Sequence, residues 1–153
     1  MDSTTLIRGM AGTIFLAILC ATLAVAIAYI ITISNMFKKC APNSRTMQPG
    51  MVWLLLVPFL NLIWNFMVVN AVSDTLTNEF RLRGVQNFEP NPGKQIGMPM
   101  AICGACGIIP ILGILASLVY LVLWIVYWVK ISGFSKMLDQ TPAAVMPATA
   151  TRY

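Results

Sequence analysis

The pair Cys103-Gly104-Ala105-Cys106 has the spacing of a dithiol redox site, and Asn61, Asn65 and Asn70 are the most polar side chains inside the apolar stretches. A working dithiol opens a helix beside a sheet, in surroundings that favour the thiolate. Cys103 and Cys106 sit instead in an apolar segment, where the thiol is disfavoured from ionising, so they read as small packing residues. The chain has no histidine, and no carboxylate falls inside an apolar run to complete a metal site with them. Asn61 and Asn65 are four apart and share one helix face. Such a face either lines a pore or pocket or makes interhelical hydrogen bonds worth about 0.6–2 kcal/mol each. No ionisable group lies deep in an apolar run, which argues against proton relays, voltage sensing and ion-coupled transport. The expectation is therefore a non-enzymatic protein without a cofactor.

The elements that position these residues follow from the hydropathy pattern. All charged side chains lie outside three apolar stretches, at about 10–34, 51–73 and 96–129. With 58% hydrophobic and 10% charged residues, the chain departs from the soluble average of roughly 25% charged. About 20 apolar residues span a bilayer core, and buried backbone groups there must bond within a helix. The reading is an all-α membrane protein with four transmembrane helices, at about 10–34, 51–83, 96–109 and 112–134. Three crossings are the alternative. The last stretch, about 51 Å as one helix, is too long for a core of about 30 Å. Pro110 and Gly113 supply a hairpin within it. Pro58 is expected to kink helix two in mid-course. Helix two should run beyond the bilayer, because Val69, Val72, Leu76 and Phe80 continue an apolar face past Ser73, with Glu79 and Arg83 paired at i,i+4 and Gly84 as its stop. Tyr120, Trp124, Tyr127 and Trp128 read as an aromatic belt. Residues 1–139 form one domain, and 140–153, rich in proline, alanine and threonine, reads as a flexible tail.

Ala17, Ala21, Ala24 and Ala28 form a small-residue seam on helix one, and Gly104 and Gly107 allow close packing of helix three. The first run, preceded by Arg8, is expected to be a retained anchor, being longer than a signal-peptide core. The net charge of +5 is scattered over segments flanking the helices, which points to lipid headgroups and not to nucleic acid. Four alternating passes put Lys38, Lys39 and Arg45 on one side and the other basic residues on the opposite side. The positive-inside rule then places the C-terminus in the cytoplasm, as it does for three passes.

The stretch Cys40-Ala41-Pro42 … Arg45-Thr46-Met47-Gln48-Pro49-Gly50-Met51-Val52-Trp53, with Pro58, Asn61-Leu62 and Trp64, resembles a family of small four-helix bacterial membrane proteins. Ile109-Pro110, Gly113 and Trp124 … Tyr127-Trp128-Val129-Lys130 extend the resemblance over about 39–136. It implies four passes and a bacterial inner membrane, and it carries no activity or site residue. The function expected is a packing, assembly or accessory subunit of a membrane complex, or a self-associating bundle. Its partners would be lipids and other membrane subunits or itself. The alternative is a homo-oligomeric channel or small-solute conduit lined by the Asn61/Asn65 face.

Overall fold

A computed structural model describes residues 3–107 and 109–141. These form helices α1 (Ser3–Lys39), α2 (Pro58–Leu82), α3 (Lys94–Cys106) and α4 (Pro110–Gln140), with a 3-10 helix at Pro49–Leu56 and no strand among the described residues. The all-α expectation holds. Two helices, α1 and α4, are long and apolar enough to cross a membrane. Four spanning helices are not borne out. The expected span over 51–83 is divided at Val57, and α3 has only 13 residues. Helices α1 and α4 also outrun their expected ends, the latter reaching Gln140 where a tail was expected; from residue 142 onward the tail lies outside the described residues.

The division at Val57 has a local cause. Val57 is extended (φ −84°, ψ 111°) because the residue before a proline is pushed out of the helical region. Pro58 has no N–H to continue the preceding ladder, but it suits the first turn of a new helix. Pro58 therefore starts α2 where a kink within one helix was expected. The same device recurs at Ile109 (φ −84°, ψ 116°) before Pro110, which starts α4. The expected hairpin in the last apolar run is thus present. Gly113 allows it to close, since a Cβ there would stand 2.9 Å from the Gly107 carbonyl oxygen.

Side-chain bonds give the helix directions. The chain after α1 runs antiparallel to α2: Ala41 meets Glu79, Ser44 meets Asn78, Thr46 meets Thr75 and Ala71, and Met51 meets Trp64. Helix α3 runs antiparallel to α4, with Gly97 against Tyr127 and Gly104 against Tyr120. Helices α1 and α4 are parallel, since Thr32 bonds Trp128 and Lys39 bonds Ser135 and Asp139, pairs 96–100 residues apart. Helix α2 is parallel to both: Phe80 packs on Phe134, and Arg83 bonds the carbonyls of Lys39, Leu138 and Thr141. The three long helices therefore end together, and the 3-10 segment and α3 are short return strokes.

This arrangement collects charge. Among the described residues, Lys38, Lys39, Arg45, Arg81, Arg83, Lys94, Lys130 and Lys136 lie toward the shared C-terminal end, and Arg8 lies toward the other. The core occupies the charged half: Ile33, Met36 and Phe37 of α1, Val68, Val72, Leu76 and Phe80 of α2, and Tyr127 and Ile131 of α4 are fully buried. The apolar face continued past Ser73 is thus the core face of α2. Of the four residues read as an aromatic belt, Tyr127 is buried, and Tyr120, Trp124 and Trp128 are half-buried against the core. Trp124 and Trp128 pack on Tyr29, tilted and edge-on, at 5.2 and 6.0 Å between centroids, and Trp128 Nε1 donates to Thr32 Oγ1 at 3.0 Å. By contrast, every residue from Ile7 to Val25 is exposed.

The tightest junction is Gly97 of α3. A Cβ there would lie 2.6 Å from Val69 Cγ1 and 2.8 Å from Tyr127 Cε2, whereas one at Gly133 meets nothing within 4 Å. Overpacking costs about 1–3 kcal/mol. Gly97→Val should lower the thermal midpoint of the detergent-solubilised protein by that scale, and Gly133→Ala should leave it unchanged or raise it slightly, as read by circular dichroism.

Candidate functional site

Two places gather polar groups: the charged end, and a cleft further up the bundle. At the charged end Glu79 and Arg83 form a buried ion pair, Oε1 to Nε 2.8 Å, with side chains 1% and 5% exposed. Helical spacing brings the two together on one face of α2. Glu79 Oε2 also accepts the Ala41 N–H at 2.9 Å, which ties down the chain leaving α1. Arg83 donates to the carbonyls of Lys39 at 3.0 Å and Leu138 at 2.5 Å, and to that of Thr141. Arg45 donates to the carbonyls of Lys38 and Cys40 at 2.9 and 3.0 Å. Lys39 binds Asp139 at 2.6 Å and Ser135, and Lys130 binds Glu89 at 2.6 Å. The i,i+4 pairing was legible in sequence, but its burial and reach were not. In the last turns of α2, which were expected to run beyond the bilayer, the side chains of Glu79, Phe80 and Arg83 are buried while Arg81 and Leu82 stay exposed.

Burial alone would raise the Glu79 pKa. The nearby Ser44 hydroxyl, the Ala41 N–H and Arg83 outweigh it and hold the carboxyl below its ordinary value. Ser44 Oγ stands close enough to favour the charge, yet makes no hydrogen bond of good geometry. Burial, reinforced by the Glu79 carboxylate, pushes the Cys40 thiol up to about 12.

Higher in the bundle, Asn61 and Asn65 of α2 face two adjoining cavities within one chain. The larger, of about 660 Å³, lies between α1, the 3-10 segment, α2 and α4, with Tyr29, Tyr120 and Trp124 in its walls. The smaller, of about 240 Å³, lies toward α3 and reaches Cys103, Gly104 and Gly107. Ser117 and Tyr120 border both. Asn65 is 7% exposed, and neither Asn61 nor Asn65 hydrogen-bonds another described residue through its amide. Asn70 stands apart from them: it borders neither cavity, and its Nδ2 donates back to Phe66 O at 2.9 Å. Nine residues separate Asn61 from Asn70, which turns them to opposite sides of a helix.

The remaining sequence candidates are placed as follows. Ala17, Ala21, Ala24 and Ala28 are all exposed along α1, so the seam they form does not join helices of this chain; Ala21 borders the larger cavity. Gly104 admits Tyr120, whose ring would lie 3.2 Å from a Cβ, and Gly107 closes the α3–α4 turn. Cys103 and Cys106 are free thiols in the last turn of α3. No group of metal-ligating side chains assembles among the described residues. Comparison with protein-family models, curated proteins and solved structures finds no match.

The charged end predicts a bounded pH range of stability. A carboxyl with a lowered folded pKa contributes stability above its ordinary value and loses it as pH falls through the folded pKa. A thiol raised from 9.0 to about 12 contributes below pH 9 and loses it as pH rises toward 12. Denaturation in detergent should therefore show a plateau that falls at both ends, with Glu79→Gln flattening the acid limb and Cys40→Ala the alkaline one. Arg83→Leu, which strands a buried carboxylate, should cost about 3–5 kcal/mol at neutral pH.

Proposed function

We propose that this chain is a non-enzymatic integral protein of a bacterial inner membrane, acting as an assembly or accessory subunit. Its charged end and C-terminus face the cytoplasm. The membrane reading is supported by the exposed side chains of α1: Ile7, Met10, Ile14, Phe15, Leu16 and Ile18 are 57–68% exposed, an apolar surface suited to lipid or to another helix. Helix α1 makes a complete crossing. The 3-10 segment with α2, and α3 (about 20 Å long) with α4, enter from the charged side, turn at the two X-Pro junctions and leave on the side they entered. The orientation is supported by eight basic residues at one end against Arg8 at the other. The resemblance to four-helix bacterial proteins supports the compartment.

The observation that carries the assembly role is the bare upper part of α1, whose small residues are all unused within the chain. Lipid can cover such a helix. Alanines four apart let another helix approach closely, and close packing is what drives association where hydrophobicity cannot. The partner is a membrane helix of a larger complex or of a second copy. A second reading is favoured by the shared lining of the two cavities: Asn61, Asn65, Ser117 and Tyr120 would then border a small-solute path. Solute flux through liposomes that is lost on Asn61→Leu with Asn65→Leu would favour that reading over assembly.

Two outcomes are expected. Gently solubilised protein should appear by native mass spectrometry as a multimer or with larger subunits, and Ala17→Leu with Ala24→Leu should release the folded monomer; a lone wild-type monomer would sink the assembly role. In a background without native cysteines, cysteines at Arg45, Lys94 and Lys136 should all label from the cytoplasmic face and one at Arg8 from the opposite face. Alternating four-pass topology places Arg45 across the membrane from the other three.

A further inference from the structure

The larger cavity treats its polar groups unevenly. On its walls, Thr22 Oγ1 donates to Ile18 O and Ser117 Oγ to Ile114 O, so each hydroxyl is satisfied by its own helix. Asn70, on the same helix as the cavity asparagines, does likewise through Phe66 O. Asn61 and Asn65 make no such bond to a described residue. Tyr29 Oη is buried with no partner, and Tyr29 borders the same space. Leaving that buried hydroxyl unpaired costs about 1–3 kcal/mol. Two carboxamides and a phenol left open around one cavity form a set of donors and acceptors with an occupant's place between them.

The walls limit that occupant. No charged side chain lines the cavity, so the bound part is neutral. Tyr29, Tyr120 and Trp124 supply aromatic faces, which suit a flat ring. A volume of about 660 Å³ lies within the roughly 300–1,000 Å³ usual for ligand sites. Tyr120, which borders the cavity with Asn65, lies ten residues before Lys130 on α4, about 15 Å along the axis. If the membrane reading above holds, that depth is near the middle of a core of about 30 Å and away from phospholipid ester groups.

We infer that this cleft binds a membrane-soluble ring compound carrying carbonyl oxygens and a hydrocarbon tail, the chemical class of the quinones. The carboxamide N–H groups of Asn61 and Asn65 donate to the ring oxygens, Tyr29 Oη donates to the same edge, and the tail leaves between α1 and α4. The inference rests on the membrane reading and is independent of assembly.

The test is titration of the wild-type protein in nanodiscs with decylbenzoquinone, read by quenching of tryptophan fluorescence, since Trp124 lines the cleft. Saturable quenching is expected, weakened at least tenfold by Asn61→Leu with Asn65→Leu and unchanged by Asn70→Leu. Decylbenzene, with the same tail and no oxygens, should not compete. Quenching that never saturates, equal competition by decylbenzene, or full binding by the double variant overturns the proposal. Should the double variant fail to fold, Tyr29→Phe decides: it removes one oxygen and should weaken binding at least threefold, and unchanged affinity counts against the site. Failure of the membrane reading shows separately, as absence of the protein from the membrane fraction.

Discussion

Parallel packing of α1, α2 and α4 brings three helix C-termini to one end of the molecule, each with unpaired carbonyls and roughly half a negative charge. Left alone, they would repel one another and strand polar groups at their junction. Arg83 meets the problem with one rigid guanidinium, donating to α1 through Lys39 and to α4 through Leu138 and Thr141. Arg45 covers the Lys38 and Cys40 carbonyls, and Lys39 reaches Ser135. Glu79 balances the buried arginine and holds the chain that leaves α1. Arginine suits this role because its planar fork serves several acceptors at once.

The parallel arrangement has a second requirement, that the chain return between successive long helices. The 3-10 segment and α3 make those returns, and the same geometry ends both, an extended residue followed by a proline that opens the next helix. The segments around the two turns, Val57-Pro58-Phe59-Leu60-Asn61-Leu62 and Ile109-Pro110-Ile111-Leu112-Gly113-Ile114, echo each other. Because the returns are short, packing is dense only toward the charged end. The upper part of the bundle is left with an open cleft and a bare α1. The open sites and the locked core therefore have one origin, the mismatch in length between the long helices and the segments that join them.

Much of this was legible. Hydropathy identified the helical class, Gly84 marked the end of α2 through its left-handed conformation (φ 65°), and Pro110 with Gly113 marked the α3–α4 turn. The apolar stripe at Val69, Val72, Leu76 and Phe80 is the core face of α2. Asn61 and Asn65, paired by helical spacing, border the same two cavities. The turn at Val57 was missed, although it carries the same X-Pro signal as Ile109, because a membrane helix also tolerates a proline as a kink. Taking Pro58 for a kink sent α2 across in the wrong sense. That reading then divided the basic residues more evenly, whereas the fold gathers all the described ones but Arg8 at one end.

The sequence by itself determined which segments are helical, which faces are apolar and where each helix can begin and stop, because propensity, periodicity and proline geometry act within a few residues. It could not determine helix direction, the burial of Glu79 and Arg83, the packing of Trp124 and Trp128 on Tyr29, or the meeting of Tyr29 with Asn61 and Asn65. Those depend on contacts between residues far apart in the chain, such as Lys39 with Asp139 and Arg83 with Thr141. Apolar side chains facing lipid and facing protein look alike in sequence. Only the packed structure decides which of them a neighbouring helix covers.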